Sequence, residues 1–406
     1  MVTEIPTFEL TLFASLLILL VTARLFGEIF ERLRQPSMLG EIMAGIILGP
    51  SVLNLIHRTE GIQTVSEIGV FLLITIAGLE VDIDEVIKSI KGKNFFISVF
   101  AFFLPIFGGV AVGYFFDVNY MTRIFIGLCI AITALPVSVR ILMDLGKLNS
   151  STGQKIISAA ILNDAMALSI LGVILKVKDT DMALFSILQE SFFSLLKLSV
   201  FIIILSLSYY IIKVISKKDN YIENNLDKVL SSLKGKESLF AIFFAFILIF
   251  STVTEFLGFH FIVGAFFGAM LINEKIVGQE HLDAIYNTTN GLAMGFLAPI
   301  FFAGIGLEFN FSEIQNYWLL AAILFISYFS KIAGGFLGSK IAGLNSRVSF
   351  TIGIGLNARG IMELIIANIA YKEKLINLEV FSILVIVGVL TTMTTPVVLK
   401  RYFYDE

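Results

Sequence analysis

IAGLEVDIDEV (76–86) returns 228 residues later as GIGLEFNFSEI (304–314): Gly-Leu-Glu and a later Glu coincide, and Asp82 is matched by Asn310. Both copies end long apolar runs, and AGIILG (44–49) resembles VGAFFGA (263–269) at nearly the same offset. An offset spanning seven helices, an odd number, turns the second copy upside down in a bilayer. That is the inverted repeat of secondary transporters.

The composition carries this reading over the whole chain. Of 406 residues, 57% are hydrophobic and 15% charged, with mean hydropathy +0.91. A span needs about 20 apolar residues, so a dozen or so spans use nearly all of the length. We place thirteen, near 8–25, 37–55, 64–79, 95–116, 121–143, 154–175, 183–212, 238–257, 260–273, 289–308, 317–339, 348–371 and 378–399. With the N-terminus outside, nineteen of the 29 Lys and Arg fall in inner loops and six in outer ones, as the positive-inside rule requires. Repeat one covers about 8–175 and repeat two about 238–400. A linking helix and a hydrophilic cytoplasmic loop occupy about 183–237. No signal peptide is read at the N-terminus, and no C-terminal nucleotide-binding domain is expected. The single cysteine, Cys129, allows no internal disulfide, and no basic cluster suggests nucleic acid.

Interrupted helices at matching positions of the two halves are the sequence pointer to a transport site. Span five carries CIAITALPVSV (129–139), with Thr133 and Pro136. Span twelve carries TIGIGLNARGIMEL (351–364), with Gly355 and Asn357. Proline removes a backbone donor and glycine loosens the helix, so both leave polar backbone at membrane depth. Span six follows directly with AAILNDAMALSILGVIL (159–174), whose Asn163–Asp164 pair interrupts an otherwise apolar run. A carboxylate at the centre of a span costs about 2.5–3.5 kcal/mol on insertion scales. Asp164 is therefore read as the group that alternately holds a proton or a small monovalent cation, and Asn163 as an orienting side chain that cannot titrate.

Lys331 lies too central in span eleven to snorkel. It is equally a functional charge or a structural counter-ion to the site. Arg359 and Glu363, four residues apart, fit a self-neutralising pair on one helical face as well as a supporting role. Glu80, Asp82 and Glu308 at span ends are ascribed to interfacial solvation, and Glu41 is placed to line a funnel. His57, His260 and His281 are isolated, so no metal centre is read there.

Together QPSMLGEIMAGIILGPSVL (35–53), EIGVFLLITIAGLEVDIDEV (67–86), the TALP break followed by LND, APIFFAGIGLEF (298–309), SKIAGGFLGSKIAG (330–343) and GLNARGIMELIIANIA (355–370) resemble the cation:proton antiporter-2 family of sodium/proton exchangers, Kef-type systems and plant cation/proton exchangers. The resemblance implies an all-α membrane protein with the sodium/proton antiporter fold and two broken, crossing helices. It also implies a homodimer with a dimerisation domain and a mobile core. It makes Asp164 the cation- and proton-binding carboxylate, with Thr133 at the crossing and Lys331 in the core near it. Electrogenic members carry two adjacent acids where this chain has Asn163–Asp164.

The function expected is antiport of sodium or potassium against protons by alternating access, electroneutral because one acid titrates. No enzymatic activity and no cofactor are expected, and the location is the bacterial inner membrane with the C-terminus cytoplasmic. A channel-like potassium efflux protein and a sodium-coupled organic-anion carrier are the alternatives. An intramembrane enzyme is disfavoured by the absence of HExxH and of a second midmembrane Asp.

Overall fold

The computed structural model describes residues 11–33, 35–81, 92–133, 150–177, 199–211, 236–272 and 277–403, together with isolated positions 138, 141, 142, 145, 147, 193, 196 and 197. Among these residues every element is helical. The helices are α1 (Leu12–Arg32), α2 (Ser37–Leu48), α3 (Glu60–Leu79), α4 (Phe95–Phe115), α5 (Tyr120–Ala131) and α6 (Ser151–Val177). Then follow α7 (Ser199–Ile211), α8 (Lys236–Phe256), α9 (Phe261–Met270) and α10 (Gln279–Leu292), which passes through a π turn (Ala293–Leu297) into α11 (Ala298–Glu308). The last four are α12 (Tyr317–Ile341), α13 (Ser346–Gly355), α14 (Ile361–Lys372) and α15 (Leu378–Tyr402). Each of the thirteen expected spans holds a described helix, and eight are long and apolar enough to cross a membrane. The hydrophilic loop 216–235, Asp82 and Pro136 lie outside the described residues.

Several boundaries depart from the sequence reading: α10 begins at Gln279, ten residues before the expected 289, α5 ends at Ala131 within the expected 121–143, and two further departures show their cause. α1 runs seven residues past the expected end at 25: the Thr11 hydroxyl accepts from Ala14 N at its start, and Glu28 pairs with Arg32 at 3.0 Å in its last turn. α2 stops at Leu48 instead of continuing to 55. Pro50 has no N–H to give a further turn, and Ser51 instead donates to the Phe309 carbonyl at 2.6 Å.

The chain divides into two compact units, Met1–Val70 with Gly291–Gln315, and Phe71–Asn290 with Asn316–Glu406. In the first, α2 and α11 touch backbone to backbone. A Cβ on Gly45 would stand 1.9 Å from the Ala303 carbonyl oxygen, and one on Gly306 would stand 2.2 Å from that of Ile42. This is why the recurring motifs pair small residues: close approach replaces the missing hydrophobic drive in lipid. Leu19, Ala23, Ala44, Leu48, Ile56 and Ile62 close the core around it.

Two acids of this unit, Glu41 and Glu308, are paired, which the sequence reading did not foresee. Glu41 is buried in α2, 3.5 Å from the Arg24 guanidinium. Arg24 also reaches the Met294 carbonyl in the π turn. Glu308, expected to be merely solvated, forms an ion pair with Arg58, both side chains nearly covered.

In the second unit, α4 packs along α12 and α5, α8 packs on α9, and α12 packs on α13 where Gly335 meets Gly353. Glu80, just past the end of α3, is exposed and accepts from the Tyr286 hydroxyl at 2.9 Å. Solvation at the span end describes Glu80 correctly, with one added hydrogen bond.

Candidate cation-binding site

α5 stops abruptly. Ile132 is already extended (φ −72°, ψ 148°) and Thr133 follows outside the helix, fully buried. Opposite it, α13 ends at Gly355, the chain runs irregularly through Leu356, Asn357, Ala358, Arg359 and Gly360, and α14 begins at Ile361. Two interrupted helices thus stand where the sequence places them, although Pro136 itself lies outside the described residues.

The breaks are tied to each other. The Thr133 hydroxyl donates to the Leu356 carbonyl at 3.1 Å. Asn163 comes in from α6: one end of its amide meets Thr133 Oγ1 at 3.3 Å, and the other faces the carbonyl oxygens of Ser98 and Ala159 at 3.1 and 3.2 Å. Two carbonyls require the amino group, so Nδ2 donates to Ser98 and Ala159 and Oδ1 turns to Thr133. The single Thr133 proton then lies between two acceptors, the Leu356 carbonyl and Asn163 Oδ1. Thr133 and Asn163 thus meet at the residue preceding Asp164.

Asp164 is 2% exposed, and its Oδ1 has no hydrogen-bond partner among the described residues. The Oδ1 of Asn357, inside the second break, is likewise without one. Buried polar atoms are ordinarily satisfied, and uncommitted oxygens are the donors that a small hard cation takes. A monovalent cation is cargo at such a place, not a resident cofactor. The described residues hold no cluster of three His, Cys, Asp or Glu that would bind a metal more permanently.

The cationic side chains serve the helix end. The last carbonyls of a helix have no intrahelical donor and carry its negative dipole end. Lys331, fully buried, donates through Nζ to the Ala131 carbonyl. Arg359, also fully buried, donates to the Cys129 carbonyl at 3.4 Å, to the Ser327 carbonyl at 3.2 Å and to Glu363 Oε1 at 3.2 Å. Glu363 sits in the first turn of α14, where a negative charge meets the positive dipole end. Lys331 and Asp164 form no ion pair within 4.0 Å. Gly355 is the last residue of α13, and a Cβ there would press to 2.4 Å against Ile156 of α6.

The sequence reading missed Ser98, Ser327 and Thr392. Thr392 donates to the Arg359 carbonyl at 2.6 Å and holds the second break from α15. A lone serine in FFISVF and the TTMTT run of span thirteen were signals of inward polar groups, but nothing local named their partners.

A family model described as sodium/hydrogen exchanger, transmembrane, matches residues 16–403. The chain belongs to that family. Among curated relatives, this exchanger is 31% identical over 96% of its length to a probable Na+/H+ antiporter, GerT, of Bacillus cereus, of which it covers 98%. It is 28% identical over 97% of its length to the Na+/H+-K+ antiporter GerN of the same organism, covering 97% of that chain. The solved sodium proton antiporter MjNhaP1 of Methanocaldococcus jannaschii is similar in structure, with TM-score 0.67 at 17% identity over 95% of this chain and 94% of that one. The exchanger therefore has the sodium/proton antiporter fold in an integral membrane setting.

Proposed function

We propose that this exchanger carries sodium or potassium against protons by alternating access, with Asp164 as the carboxylate that holds one or the other. The observation that carries the reading is a buried carboxylate with an uncommitted oxygen, set next to two interrupted helices joined by Thr133 and Asn163. A buried charge must be paired or neutralised, so a proton and a cation are interchangeable ways of making Asp164 tolerable at that depth. Thr133 Oγ1 and Asn163 Oδ1 supply neutral ligands, and Lys331, Arg359 and Glu363 hold the helix ends that present them. Transport is electroneutral, one cation for one proton. The protein works as a homodimer of two inverted repeats, 8–175 and 238–400, in a bacterial inner membrane with its C-terminus in the cytoplasm.

The test is Asp164→Asn in proteoliposomes. The amide keeps the shape but holds neither a proton nor a cation charge, so cation-driven proton movement disappears while the purified protein stays folded. Undiminished exchange by the folded variant would end the assignment.

A further inference from the structure

Outside the candidate cation site, a groove of about 920 Å³ lies on the outer face of α12 in the second unit. Its wall is apolar: Phe325, Phe329, Ile332, Phe336 and Leu337 from α12, closed at one end by Phe350 of α13. Phe325 and Phe329 are 68% and 60% exposed, stacked on each other at 5.8 Å. Tyr328 also borders the groove, yet its hydroxyl is turned away to the Leu390 carbonyl of α15, so the wall offers no polar partner from that ring. From Ala321 to Leu337 the groove follows sixteen residues of helix, about 24 Å at 1.5 Å per residue. That is the scale of an extended fatty-acyl chain.

One end of this groove is basic. Lys340 stands one turn beyond Leu337 and reaches toward Leu344 O and Ser346 Oγ at the start of α13. Arg347 lies one turn before Phe350. Phe350 in turn packs its ring against Tyr402, 5.2 Å between centroids, which brings the Lys400–Arg401 pair at the end of α15 to the same place. All four cations are exposed, and no acid occurs among the described residues of 337–350 and 396–403, Asp405 and Glu406 lying outside them. An acyl-length apolar groove closed by the Lys340 and Arg347 cations is complementary to a lipid with a negative headgroup.

We propose that the α12 groove binds an anionic phospholipid, its acyl chain laid along Phe325–Leu337 and its phosphate held by Lys340 and Arg347. The lipid would brace α12, which carries Lys331, against α13, which leads into the second break.

Native mass spectrometry of the purified exchanger, delipidated and then supplied with phosphatidylglycerol or phosphatidylcholine, tests this. The intact protein should retain phosphatidylglycerol selectively. Each basic residue near an anionic surface contributes about fivefold to binding, so Lys340→Gln with Arg347→Gln should weaken retention by about 25-fold. Ala333→Trp, which fills the groove and leaves every charge in place, should lower retention as well. Thermal unfolding in phosphatidylcholine checks that both variants are folded. Equal retention of the two lipids, or wild-type phosphatidylglycerol retention by both folded variants, overturns the proposal.

Discussion

Thr133 ties the two breaks together, and on the proposed reading the same hydroxyl is also a ligand for the cargo. Its proton lies between the Leu356 carbonyl, one of the groups freed by the second break, and Asn163 Oδ1. On that reading its removal takes away a neutral ligand worth about 1 kcal/mol, as single hydrogen bonds go. Thr133→Ala should therefore raise the half-saturating cation concentration about fivefold with little loss of maximal rate. A concentration dependence identical to that of the unaltered protein would leave Thr133 as a prop for the break alone. Asn163 is held more firmly, by Ser98 and Ala159, and so orients the site without titrating in it.

At the scale of helices, the difficulty is that α5 ends inside the protein. Three carbonyl oxygens near the two breaks, those of Cys129, Ala131 and Ser327, receive N–H donors from Lys331 and Arg359. Leaving a buried acceptor without a partner costs about 1–3 kcal/mol. Lys331→Gln, which keeps an N–H donor, should unfold at a higher temperature than Lys331→Met, which keeps only the length. Equal melting temperatures would mean that the Ala131 carbonyl gains nothing from Lys331. Arg359 is costlier to lose. Truncation strands the Glu363 carboxylate in a buried setting, a loss of about 3–5 kcal/mol for a broken buried pair, and Arg359→Ala should be rescued in part by adding Glu363→Ala.

For the molecule as a whole, the count of titrating acids decides the current. On the proposed reading, with Asn163 before Asp164, a loaded site carries the same net charge whether it holds a cation or a proton. Exchange driven by a pH gradient in proteoliposomes should be indifferent to an imposed membrane potential and should generate no current. Each elementary charge moved across 100 mV is worth about 2.3 kcal/mol, so an uncompensated charge would be plain in the rate. A dependence on potential would make Lys331 a second carrier, and Asn163→Asp supplies the converse experiment.

Much of this was legible in the sequence because lipid leaves few choices. Helices must satisfy their own backbone, so apolar run lengths and the TALP and GLNARG interruptions located the helices and the breaks in the sequence itself. Asp164 stood out for the same reason, a charge in an apolar run having no cheap explanation, and the structure finds it buried. What only the tertiary structure decided was partnership. Lys331 meets the Ala131 carbonyl 200 residues away, Arg359 bridges to Cys129 and Ser327, and Arg58 takes Glu308 out of solvent. Nothing in local periodicity encodes such contacts, because a freed carbonyl looks the same in sequence wherever its donor comes from. The turn that follows α2 is held in the same way, by Ser51 on the Phe309 carbonyl 258 residues away. Composition and spacing determined which groups needed satisfying at membrane depth. Folding alone determined which groups satisfied them and which oxygens, those of Asp164 and Asn357 among them, were left without a partner among the described residues.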